Sequence, residues 1–182
     1  MIEDLFKWIS KSKITTIGYD HKTEYEKDLI LNGLKSYNIG KEYKDFNTKQ
    51  LVRDFKLDKI LNGSDYSNFI HLDINDINVG TDSLFIHSPL AEKTVYIKEF
   101  LRHLRHKIDN FNFIFTTETY NGVNSKSFLR GGNSVIYSAD LVFYLDTDVV
   151  KIIKNRYYHN NIDIPLSDLE NFNYICDYEF NK

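Results

Sequence analysis

Two rhythms of apolar residues alternate along the chain. Short β-branched or aromatic runs predict strands at Ile14-Thr15-Thr16-Ile17 (ended by Gly18), at Phe69-Ile70-His71-Leu72-Asp73-Ile74, at residues 83–87 (closed by Ser88-Pro89) and at 111–115. Between them the apolar residues recur at helical spacing. Residues 23–37 do so through Leu29, Ile30, Leu34 and Tyr37, with Glu24 and Glu26 in the first turn. Residues 48–61 do so through Leu51, Val52, Phe55 and Ile60, between turn signals at Asn47 and Asn62-Gly63, and residues 95–108 through Phe100, Leu101, Leu104 and Ile108. A polar stretch at 119–133 reads as a long loop. Leu141–Leu145 and residues 149–153 then read as a strand pair about Asp146-Thr147-Asp148. Strands separated by helices predict an α/β fold with a mostly parallel sheet and right-handed crossovers. The terminal pair predicts antiparallel strands at one edge.

Composition agrees with one globular domain. The 182 residues are 42% apolar and 15% aromatic, too rich for a chain that cannot collapse. No stretch approaches the ~18 uncharged apolar residues of a membrane span, and Glu3 and Asp4 stand where an export signal would be basic. Cys176 is the only cysteine, so no internal disulfide is expected and the chain reads as cytoplasmic, in a host cytoplasm or a virion if viral. The net charge of −3 argues against a surface coated in phosphate-neutralising cations, although not against a local basic patch. Twenty Ile and 18 Asn beside two Ala follow the codons of an A/T-rich genome, bacterial or phage, and carry no chemistry.

In open parallel sheets, ligands sit beyond the carboxyl ends of the strands. After the first strand comes Gly18-Tyr19-Asp20-His21-Lys22-Thr23, with Gly18, Lys22 and Thr23 in the order of a phosphate-binding loop. Only three residues separate Gly18 from Lys22, where that motif has five, and His21 replaces the glycine before the lysine. Later strands end at Asp73-Ile74-Asn75-Asp76 and at His87. Neutral imidazole is a poor Mg²⁺ ligand, so His87, like His71, reads as a structural histidine. His103, His106 and His159 read as solvated, and no pair of histidines makes a zinc site. Lys98, Arg102 and Arg105 share one face of the 95–108 helix. Lys126, Arg130, Gly131 and Gly132 lie in the polar loop, a chemistry able to follow a nucleic-acid backbone. On a strand, Lys154 and Arg156 share a face and could reach one anion.

Taken in order, these segments resemble the RecA-type ATPase core shared by RecA recombinases, KaiC-like proteins and DnaB-type helicases. Residues 129–145, from Leu129-Arg130-Gly131-Gly132-Asn133 to the strand ending at Leu145, resemble the end of the second DNA-binding loop with its following helical turn and strand. Residues 150–157 are similar to the final strand of the helicase and KaiC-like branch, whose Lys-x-Arg pair acts in trans on a neighbour's nucleotide. Residues 14–31 look like a shortened Walker A unit, 84–90 like a Walker B strand with His87 for its Asp, and 69–75 like the strand ending in the catalytic glutamate, with Asn75 near that position. Thr116 and Thr117 fall where the sensor strand usually carries amides.

This resemblance covers about residues 8–160, leaving 161–182 as a C-terminal tail of a single 1–182 domain. It implies a three-layer RecA-like sheet flanked by helices. It also implies loss at all three chemical positions: Gly18, Lys22 and Thr23 remain as vestigial nucleotide-binding residues, and Asp73, Asn75 and His87 as vestigial catalytic candidates. The expected function is therefore a catalytically inactive ATPase-fold protein of replication or recombination, or a phage accessory protein. It would act through a protein partner or self-association, and through single-stranded DNA at Lys126, Arg130, Gly131, Gly132, Lys98, Arg102 and Arg105. No cofactor or metal is expected. ATP and Mg²⁺ enter only under the alternative of an active, divergent single-strand-binding ATPase; a structural virion component is the second alternative.

Overall fold

The computed structural model describes residues 1–34, 37–38, 53, 57, 60–61, 69–74, 101–102, 105–106, 111–121, 127–129, 132–158 and 162–170. Helix α1 (Ile2–Lys11) leads into the central strand β1 (Ile14–Tyr19), and α2 (Glu24–Gly33) into β2 (Tyr37–Asn38). Next come β3 (Phe69–Asp73), β4 (Asn112–Asn121), β5 (Ser127–Leu129), α3 (Gly132–Ser138), β6 (Leu141–Leu145), β7 (Val149–Asn155), β8 (Asp163–Pro165) and α4 (Ser167–Glu170). The strand order is β2-β3-β4-β1-β6-β7-β8, with β5 paired to the far end of β4. From β2 to β6 every neighbour is parallel; β7 and β8 run antiparallel, as the terminal strand pair predicted. The fold class is α/β.

All six residues of β1 are buried, because β1 lies between two parallel neighbours and under helices on both faces. On one face, Ile17 and Tyr19 join Ile114, Phe69 and Phe143 beneath α1, α2 and α4. On the other, Ile14, Ile70, Leu72, Phe113, Phe115 and Val142 pack with Leu129, Val135 of α3 and the helical Leu101. Helix α1 buries Ile2, Leu5, Phe6 and Ile9, spaced i, i+3, i+4, i+7. At about 2 kcal/mol for each side chain removed from water, that stripe is what holds a ten-residue helix that would be marginal alone.

Several expectations need correction. The N-terminal segment, for which the sequence reading only excludes an export signal, is a core helix. Helix α2 stops at Gly33, and Tyr37 pairs with Ile70 in β2 instead of extending the helix. Ile60 is helical as expected but 77% exposed, so it does not face the core. The 119–133 stretch is not a structureless loop. Strand β4 runs on to Asn121, Thr119–Asn121 pair antiparallel with Ser127–Leu129, and α3 starts at Gly132. That hairpin folds back over the sheet and places Leu129 on Gly18. A Cβ built on Gly18 would lie 2.3 Å from Leu129 Cδ2 and 2.9 Å from Tyr144 Cβ, so the glycine's work is close packing inside β1. Within 161–182, β8 adds a strand to the sheet through its pairing with β7.

Candidate functional site

The parallel strands bring Tyr19, Asp73 and Thr116 together at their carboxyl ends. Asp73 Oδ2 accepts from the Thr116 hydroxyl at 2.7 Å and the Tyr19 hydroxyl at 3.0 Å. Thr116 also lies 2.8 Å from His71 Nε2. Since Thr116 gives its one proton to Asp73, it accepts from His71, which fixes a neutral imidazole protonated on Nε2. Burial holds His71 neutral, lowering its pKa to about 4 against the partial opposition of Asp73. Burial, with the Asp73 charge and hydrogen bond, raises the Tyr19 pKa, so its phenol stays a donor. Over the Tyr19 ring, 4.4 Å from its centroid, sits the ammonium of Lys27, an almost buried α2 residue that also faces Glu24 (3.7 Å) and Asp28 (3.4 Å). The result is a closed relay, His71 to Thr116 to Asp73, with Tyr19 as a second donor.

The neighbouring β1–α2 turn is closed as well. Asp20 Oδ1 accepts the backbone N–H of Lys22 at 2.8 Å and of Thr23 at 3.2 Å, while the Asp20 N–H donates to Thr23 Oγ1 at 3.1 Å. These are amides of the turn just before α2, whose N-cap is Thr23. The acid of the turn itself fills them, an Asx-type turn that the Asp20-x-x-Thr23 spacing encodes. Thr23 is buried, Lys22 is exposed, and Gly18 lies within β1 under Leu129 and not in the turn.

The remaining predicted residues divide between two places. Asp73 joins the relay. Lys154 and Arg156 lie at the opposite, amino end of the sheet, where Asn155 pairs with Leu141. Lys154 Nζ donates to the carbonyls of Ile136 (3.0 Å), Tyr137 (3.1 Å) and Ala139 (2.7 Å), closing the C-terminus of α3. Burial and the charges of Arg156 and Arg105 lower its pKa. Arg156 pairs with Asp140 at 2.8 Å, and Arg105 pairs with the same carboxylate oxygen and donates to Ser138 O at 2.8 Å. Asp140, 1% exposed, also accepts the N–H groups of Lys13 (3.1 Å) and Ile14 (3.2 Å). Arg102 is exposed, and Gly132 opens α3. Asn75, His87, Lys98, Lys126, Arg130 and Gly131 lie outside the described residues.

Tyr19, Lys27, Asp20 and Asp140 were not anticipated. Lys27 had a signal, since it shares the apolar α2 face with Ile30, Leu31 and Leu34. Among the described residues no three His, Cys, Asp or Glu side chains group to hold a metal ion, and no helix is long and apolar enough to cross a membrane.

These features define an α/β protein with a central, mostly parallel sheet, whose strand-end acid and first turn are both satisfied internally. No family model and no curated protein matches the chain. Among solved structures it is similar to the crystal structure of the flagellar accessory protein FlaH from Methanocaldococcus jannaschii. The two share 15% identity over 89% of this chain and 90% of that one, with a TM-score of 0.38, a partial likeness of chain path.

Proposed function

We propose that the chain is a RecA-like protein without ATPase turnover, acting through contacts with other macromolecules in a replication, recombination or phage assembly. One observation carries this reading: the Asp20 carboxylate occupies the Lys22 and Thr23 amides. A phosphate brought to that turn would meet a negative charge already on its donors. The relay points the same way. Asp73 Oδ2 already accepts from two hydroxyl donors, which leaves it less available to a metal ion, and the exposed Lys22 contributes only its backbone amide to the turn. Gly18, Lys22 and Thr23 are on this reading remnants of position and not of use.

Phosphate release from Mg·ATP, measured with and without single-stranded DNA, tests the proposal. The expected rate is that of the buffer blank in both cases, unchanged in Lys22→Ala. A DNA-stimulated rate that Lys22→Ala abolishes would instead establish the active ATPase.

A further inference from the structure

We propose that the amino-end rim of the sheet is a binding surface for single-stranded nucleic acid, formed by Tyr137, Tyr157 and Tyr158 with Lys11, Lys154 and Arg156. It deepens the reading above by naming a partner class and a place for it. Its failure is distinguishable, because phosphate release does not depend on it.

The surface is continuous through its own contacts. Strand β7 ends at Asn155 beside Leu141, and the chain then runs along the rim through Arg156, Tyr157 and Tyr158. Tyr158 leans on Trp8 of α1, with ring centroids 5.3 Å apart and planes inclined by 37°. Lys11 Nζ stands 5.9 Å from the Tyr158 ring centroid and 3.5 Å from its hydroxyl. On the other side, Lys154 fastens the rim to the C-terminus of α3 through the carbonyl of Tyr137. A stripe thus crosses the sheet end from α1 to α3.

Its chemistry is uneven in a telling way. Tyr137 is 74% exposed, and Tyr157 and Tyr158 are each 48% exposed, although a phenol ring loses much by facing water. Isolated exposed apolar residues are ordinary; three tyrosines on one rim beside cations form a patch. Charge there opposes that of the whole chain. Arg105, Lys154 and Arg156 gather around Asp140, with Lys13 bonded to the Arg105 carbonyl and Lys11 farther along at Tyr158, in a protein of net charge −3. Lys154 spends its donors on carbonyls, and beside Arg156 and Arg105 its charge is opposed in part by Asp140.

Cations that track phosphates and rings that receive bases are what an unpaired strand needs, and stacking on each ring contributes about 1–3 kcal/mol. A duplex keeps its bases stacked on each other and could use only the cations. An acidic peptide would have no use for the exposed ring faces.

Fluorescence anisotropy of a labelled oligothymidine with the full chain tests this. The expected result is saturable binding whose log–log salt slope is about −2 to −3, from three or four phosphate contacts. Tyr137→Ala and Tyr157→Ala should each weaken binding about ten-fold. Lys11→Ala should make the slope shallower by about 0.7. Both tyrosines are exposed, so unchanged thermal unfolding of the variants will show that the loss is one of binding. Four results would overturn the proposal: no binding at low salt, binding indifferent to the tyrosine variants, equal competition by duplex, or equal competition by polyglutamate. The last would mark the rim as a site for an acidic protein.

Discussion

Asp140→Ala will lower the unfolding free energy by about 4 kcal/mol, the largest loss expected from any single truncation at the polar sites described above. Asp140 is almost completely buried and serves four donors at once: two backbone N–H groups at the start of β1 and two guanidinium groups. Truncation leaves the Lys13 and Ile14 amides without their side-chain acceptor. It also leaves Arg105, only 24% exposed, facing Arg156 with no charge between them. Removing one partner of a buried charge network costs far more than the network contributes net, since the remaining groups are desolvated and unpaired. Asp140→Asn keeps one acceptor oxygen and should lose about half as much. Urea unfolding of the three proteins measures both effects. A loss under about 1 kcal/mol for the alanine variant would mean that the hub is solvated and replaceable.

The second large effect is a stability loss on mild acidification. His71 is held neutral, with its folded pKa at about 4 against 6.5 in the unfolded chain. The unfolded state therefore binds the proton first. Stability is fully present above pH 6.5, falls as pH drops from there, and levels off once pH passes below 4. Two and a half pH units correspond to about 3 kcal/mol, a large part of a domain's total. The relay explains the direction. A protonated ring still donates from Nε2, but its charge is buried, and the nearby Asp73 opposes that penalty only in part. In His71→Gln the loss between pH 6.5 and 4 should vanish. Asp146, whose pKa the Lys151 ammonium and the Thr147 amide hold low, withdraws its stabilisation only below the ordinary carboxylate range, outside that window. Chemical denaturation of both proteins at successive pH values checks this, and an equal slope in the variant would locate the titration elsewhere.

How much of this could be read from the residues depended on how far apart the interacting groups lie in the chain. Strands β1, β3, β4 and β6 were legible because a parallel strand buried on both faces is an apolar run, and the β6–β7 hairpin because Asp146-Thr147-Asp148 interrupts two such runs. Helix α1 carried its signal openly in Ile2, Leu5, Phe6 and Ile9. The 119–133 hairpin was hidden because Thr119, Asn121 and Ser127 are polar, while Leu129 reaches the core. Gly18 looked like a loop glycine, but what requires it is Leu129, more than a hundred residues away.

The same division holds for the candidate site. Asp20 capping Lys22 and Thr23 is a four-residue pattern and was open to reading. Asp140 was not, because its partners stand at positions 13, 14, 105 and 156 and meet only when the sheet forms. His71 was read as a satisfied structural histidine, and its bond to Thr116 agrees. Strand periodicity puts Lys154 and Arg156 on one face. They do share the amino-end rim, where each is engaged within its own chain by α3 carbonyls or by Asp140.

Titration of the chain with a fluorescent ATP analogue in the presence of Mg²⁺ tests the central claim most directly, since it asks whether the Asp20-closed turn accepts a phosphate at all. The account predicts no saturable binding at micromolar nucleotide. Micromolar binding that Lys22→Ala removes would contradict it.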